Sequence, residues 1–201
     1  MFQSVYFFDF SLSMLVKMEE NKDKIDELIR LCCQNDKQAQ HKIFEQFKNS
    51  MAAVCRRYSS SRAEAEDNLI DGFIRAFSKI SSYDGRGSFE GWLRKVMINN
   101  CLSVYQRNTI TISHEPIENF ADETGNEEVS ARFSKEELYE ALDSLGERQK
   151  TVFNMIVIDG YSYAEAAKEL KTNANVVKTL VYRAKQKLKL YLTDIENRRK
   201  H

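Results

Sequence analysis

Three histidines, four cysteines and the absence of any glycine-rich loop limit the chemistry open to this chain. His41, His114 and His201 fall in three separate regions, and none is paired with a nucleophile. No phosphate-cradling glycine run or metal-ligand spacing occurs, so nothing supports an enzyme or a cofactor. Cys32, Cys33, Cys55 and Cys101 show no CxxC or Cys/His zinc spacing. Adjacent Cys32 and Cys33 sit in a helical pattern and read as core thiols of a reduced, cytoplasmic protein. What is left is the chemistry of recognition. Tyr83, Phe89, Trp92 and Tyr105 interleave with Lys79, Arg86, Arg94, Lys95 and Arg107. Aromatic faces beside cations suit single-stranded nucleic acid, whose bases stack while its phosphates pair. Asn99 and Asn100 follow and offer amides to base edges. The other reading makes Phe89 and Trp92 core anchors, which suits Trp92 better, with the charges merely solvated. Composition does not choose for the loop.

A second candidate lies near the C-terminus. Residues 162–188 read as a short helix, a turn at about Lys171–Asn173 and a longer basic helix capped by Asn173. At 100° per residue, Val177, Val181, Ala184 and Leu188 form a narrow apolar stripe, with Val176 and Leu180 flanking it. Asn175, Lys178, Thr179, Tyr182, Arg183 and Gln186 fall on the opposite side. A polar, donor-rich face on the second helix of such a pair suits the major groove. The plainer alternative is an amphipathic helix with a solvated face.

A third candidate is the segment 62–80. Leu69, Phe73, Ala76, Phe77 and Ile80 make one core stripe. Ile70 and Ile74 lie off its edge, beside Asp67 and Asp71. Either this helix is packed on two sides, or its second apolar edge is a partner surface suited to a basic helix.

The elements that must position these groups are helices. One proline and seven glycines in 201 residues, with 42% apolar content, favour a packed all-α chain with no sheet. The pattern gives helices over 22–34, 37–58, 62–80 and 89–107, with Asn21, Asp36, Ser61 and Ser88 as N-caps. A second block gives helices over 135–145, 147–158, 163–170 and 174–192, with capping boxes at Ser134/Glu137 and Ser162/Glu165. Between the blocks, residues 109–134 lose periodicity and hold six acids against one base. They read as a flexible linker with a span of roughly 28 Å and a reach of about 90 Å. Net charge is zero overall, but residues 171–201 hold nine bases against two acids. An anionic partner belongs at that end. Residues 1–21 read as an extension, disordered or upstream of the true start. Their apolar run is too short to span a bilayer, and Asp9 interrupts it. No membrane insertion is expected.

Together these segments resemble a known family. AEAEDNLIDGFIRAF followed by SYDGRGSFEGWLRKVMINN is similar to region two of the sigma-70 family of RNA polymerase sigma factors. ALDSLGERQKTVFNMIVIDGYSYAEAAKEL, continuing into VVKTLVYRAKQKL, is similar to region four. Their order, and the linker in place of a further domain, resemble the extracytoplasmic-function subfamily. The resemblance implies region two over 22–108, the linker over 109–134, region four over 135–192 and a basic tail over 193–201. It implies that Glu66, Asp67, Ile70, Asp71 and Ile74 grip the coiled coil of the polymerase β′ subunit. Tyr83 and Arg86, in the loop Ser81–Ser88, would then serve capture of a base from the −10 element. Arg94, Asn99, Asn100 and Arg107 would lie against that element, and Asn175, Lys178, Thr179, Tyr182 and Arg183 would read the −35 duplex. Implied partners are core RNA polymerase, including its β flap, promoter DNA and an anti-sigma factor. Departures from the family pattern include Ala166, Val176, Ile98 and Ser103, and Lys171 where glycine is usual. A left-handed Lys171 would cost about 1–2 kcal/mol. The alternative is a dimeric helix-turn-helix repressor that works without polymerase and uses segment 62–80 as its dimer face.

Overall fold

The computed structural model describes residues 22–108 and 132–199. The expected N-terminal extension, the linker as far as residue 131 and the last two residues of the tail lie outside them. Among the described residues every regular element is helical.

The first domain contains α1 (22–33), α2 (Lys37–Tyr58), α3 (Arg62–Ser78) and α4 (Phe89–Asn108). The predicted caps Asp36, Ser61 and Ser88 form, and Asn21 lies outside the described residues. Asp36 accepts from the Ala39 N–H at 2.8 Å, and Ser61 from the Glu64 N–H at 3.1 Å. Helices α2, α3 and α4 pack on one another pairwise. Ile43, Phe47, Met51 and Val54 recur at helical spacing along α2 and are buried. They meet Phe73 and Ala76 of α3 and Leu93, Met97 and Ile98 of α4 in one apolar core. Each large apolar side chain buried there contributes about 1.5–3 kcal/mol. Where α3 crosses α4 the approach is close: a Cβ on Gly72 would lie 2.2 Å from the Met97 sulfur. Helix α3 stops at Ser78, and Ile80 enters the core from a short 3-10 turn, Ile80–Ser82. Cys32 is buried as expected, and burial pushes its thiol up to about 11. Its neighbour Cys33 instead turns outward, because adjacent helical positions are 100° apart.

The second domain contains α5 (Lys135–Asp143), α6 (Glu147–Phe153), α7 (Tyr163–Glu169) and α8 (Ala174–Arg198). Both capping boxes form. After α6 the chain widens into a π turn, Asn154–Ile158, closed by the Asp159 N–H on the Asn154 carbonyl at 2.9 Å. The predicted helix 147–158 is therefore an α-helix for only its first two turns. Helix α8 packs across α5, α6 and α7, burying Val177, Leu180, Val181, Ala184 and Leu188. It runs to Arg198, six residues beyond the predicted end, so most of the expected basic tail continues the helix. Arg199 then bonds the Glu137 carboxylate and, at 2.8 Å, the Arg132 carbonyl, fixing the end of α8 to the start of α5. Lys171 does adopt the left-handed conformation, at φ 51°.

The two domains touch where α2 ends. The last turn of a helix leaves carbonyls without intrahelical partners, and here the second domain meets two nearby ones. Asn154 donates to the Arg57 carbonyl at 2.7 Å, and the Lys150 ammonium to the Ser59 carbonyl at 2.8 Å. A cation at that end also complements the helix dipole. Lys150 and Arg56 converge on Asp143, and Arg57 and Tyr58 on Asp159.

Candidate functional site

On α3 the alternatives left open by the sequence are resolved in favour of a bare face. Ala65, Asn68, Gly72, Phe73 and Ala76 are buried, while Glu66, Asp67, Ile70, Asp71 and Ile74 are all exposed. Ile70 is 51% and Ile74 61% exposed, with the carboxylates along the same side. Two isoleucines one turn apart, bordered by acids and uncovered, make an exposed apolar patch edged with negative charge.

The loop after α3 is held by its own chemistry. Gly85 and Gly87 sit at φ 75° and 77°, conformations that side chains resist. Tyr83 donates its hydroxyl to the Gly87 carbonyl at 2.8 Å, and Asp84 accepts from the Arg86 N–H at 3.0 Å. Beneath the loop Phe89 is buried and stacks on Trp92 with centroids 5.4 Å apart, and Tyr83 meets both rings. The aromatics therefore serve as anchors, as the alternative reading held for Phe89 and Trp92. They brace a loop whose tip, with Arg86, stands in solvent.

Helix α4 divides its predicted readers. Asn99 is exposed. Asn100 is 1% exposed and donates its amide to the Asn68 carbonyl at 3.0 Å, while Asn68 reaches the Ser59 hydroxyl at 3.0 Å. Asn100 therefore ties α4 to α3 from inside, and the expectation that it contacts bases is corrected. Arg94 is half-buried, with Glu90 at 3.5 Å and Asp159 of the second domain at 3.7 Å. The side chain of Arg107 lies outside the described residues.

On α8, Asn175 and Lys178 are exposed, with the Lys178 ammonium 5.6 Å from the centre of the Tyr163 ring. Tyr182 and Arg183 are half-buried. Thr179, placed opposite the core stripe by the helical wheel, is only 6% exposed and bonds the Asn175 carbonyl at 3.0 Å. In this conformation it is not a surface reader, which corrects the expectation. Sequence reasoning missed Asp159. Its only signal is the Asp159-Gly160 turn pair after an apolar run, with Gly160 at φ 74°.

Two family descriptions match the chain: sigma-70 region 2 over residues 43–110 and sigma-70, region 4 over residues 135–188. The ECF RNA polymerase sigma-E factor of Haemophilus influenzae is 26% identical over 172 residues, covering 79% of this chain and 90% of the relative. The RNA polymerase sigma factor NccH of Alcaligenes xylosoxydans xylosoxydans is 27% identical over 174 residues, covering 82% and 92%. Among solved structures, the sigma factor RpoE of Bartonella quintana, in complex with the anti-sigma factor NepR, aligns with a TM-score of 0.48 at 20% identity, over 76% of this chain and 96% of that one. The chain belongs to the sigma-70 family of RNA polymerase sigma factors, in its extracytoplasmic-function group. It is a sigma factor of two helical domains, and no described helix is long and apolar enough to cross a membrane.

Proposed function

We propose that this chain directs core RNA polymerase to its promoters by reading the −35 duplex with α8 and capturing −10 bases with the loop Ser81–Ser88 and α4. The observation that carries the reading is the uncovered face of α3, where Ile70 and Ile74 lie among Glu66, Asp67 and Asp71. That face takes the β′ coiled coil, and the second domain takes the β flap. Docking at two places fixes the spacing of the two DNA readers. Asn175 and Lys178 stand at the start of α8 for the major groove. Arg86, Asn99 and Arg94 face bases that have left the stack, Arg86 on a loop that Tyr83 holds in shape. Binding energy there offsets an unstacking cost of a few kcal/mol. Opening is a shift of population and involves no bond chemistry, so the chain is not an enzyme in this reading. It acts in the cytoplasm, where an anti-sigma factor would hold it inactive by covering the same surfaces.

The test is promoter melting. Core polymerase with the full chain should render −10 thymines reactive to permanganate on fragments from the source genome. Arg86→Ala with Asn99→Ala should reduce that reactivity at least tenfold with polymerase binding unchanged. Undiminished melting by the double variant would contradict the assignment of the −10 surface.

A further inference from the structure

Lys178 is the first charged residue of α8, and its ammonium stands 5.6 Å from the centre of the Tyr163 ring. At that distance a ring face attracts a cation. The two residues belong to different helices, and each helix start is fixed by a cap. Tyr163 opens α7 directly after Ser162, which forms a capping box with Glu165. Its half-buried ring packs on the apolar core. Asn173 fixes the start of α8, its side chain accepting from the Asn175 N–H at 2.7 Å. Asn175 and Lys178 lie three residues apart, so they share a face, and both are exposed. Among the described residues no carboxylate pairs with Lys178, so the ring holds the charge without neutralising it.

A lysine reads a base poorly when it is free. Its flexible stem spreads the ammonium over many positions, and binding must collect them into one. A ring behind the ammonium narrows that spread before DNA arrives. We infer that Tyr163 is a positioning residue for duplex readout, its ring holding the Lys178 ammonium on the reading face of α8 for the O6 and N7 of a guanine. Guanine is the base that offers two acceptors in the major groove, and the first residues of the second helix in such a pair are those that meet base edges. A phosphate is the other group that Lys178 could take, but a phosphate contact carries no sequence information. The inference rests on the proposed function, because it names a base for the −35 surface.

Two measurements test it. The first uses the full chain alone. In its NMR spectrum the Lys178 ε-methylene protons should be displaced upfield by the ring, a displacement that Tyr163→Leu removes and Tyr163→Phe keeps. An undisplaced wild-type signal would overturn the positioning. The second uses core polymerase with the full chain, selecting from duplexes randomised over the −35 region. The wild type should enrich a G·C pair at one position by about fivefold or more, and Lys178→Ala should erase that preference and no other. Tyr163→Leu should weaken the same preference about two- to fivefold, Tyr163→Phe should keep it, and Tyr163→Leu should add nothing to Lys178→Ala. Should Tyr163→Leu lose helicity, Tyr163→Met, which keeps more bulk without the ring, decides by the same readouts. A loss with Lys178→Ala that is equal on all sequences would show a phosphate contact and overturn the guanine assignment. A guanine preference untouched by loss of the ring would overturn the role of Tyr163. A wild-type complex that selects no sequence would count against the proposed function, and the spectrum would still decide the positioning.

Discussion

Asn99 and Asn100 are chemically identical neighbours with opposite fates. One step along α4 turns a side chain by 100°, enough to carry Asn100 into the contact with α3 while Asn99 stays in solvent. Asn100→Leu should destabilise the first domain by about 1–3 kcal/mol, because Asn68 loses a donor in a buried setting. Chemical denaturation checks this, and Asn99→Ala should leave stability within about 0.5 kcal/mol. The two could not be told apart in the sequence, because apolar residues occur all round α4 and its wheel has no clean polar face. Lys171 was more legible. Its place between two helices marked a turn, and the left-handed backbone is there. Lys171→Gly relieves about 1–2 kcal/mol of strain and adds somewhat less unfolded-state entropy, for a net gain of about 0.5–1 kcal/mol. A lower melting temperature for Lys171→Gly would contradict that account.

Helix starts were legible because a cap is local: Asp36, Ser61, Ser134, Ser162 and Asn173 each bond a backbone N–H within three residues. Helix ends were less so. The π turn after α6 and the last turn of α8 are set by partners distant in sequence, Arg57 and Glu137 among them. The burial of Ile80 was foreseen, although its 3-10 turn was not. The crossing of α3 and α4 depends on Gly72, and Gly72→Ala should cost about 1–3 kcal/mol by displacing Met97. The capping boxes carry a pH signature. Glu137 is held below the usual carboxylate range by the Ser134 backbone N–H and then by Arg199, and Glu165 by the Ser162 hydroxyl and then its N–H. A carboxyl with a depressed folded pKa adds stability above its unfolded value, about 4.3, and loses it as pH falls through the folded value. The melting temperature should therefore hold from pH 7 to about 5 and fall below about 4. Glu137→Gln with Glu165→Gln should flatten that fall, and an equal fall in both proteins would contradict the assignment.

At the scale of the whole molecule, the sequence shows two helical blocks and a charged divide but not the contact between them. Arg56, Arg57, Asp143, Lys150 and Asp159 look like solvated surface charges until tertiary structure brings them together. Nothing in their spacing marks residues 87 to 102 positions apart as partners. The α3 face differs, because its function needs no distant residue: isoleucines and acids one turn apart are visible in the sequence, and the fold adds only that nothing covers them. In the proposed function this face docks on polymerase. Its most direct test is co-purification of the full chain with core RNA polymerase, wild type against Asp67→Lys with Asp71→Lys. The wild type should form a stable complex that charge reversal abolishes at unchanged helicity. A wild-type chain that does not bind core, runs as a dimer and grips duplex DNA by itself would contradict it.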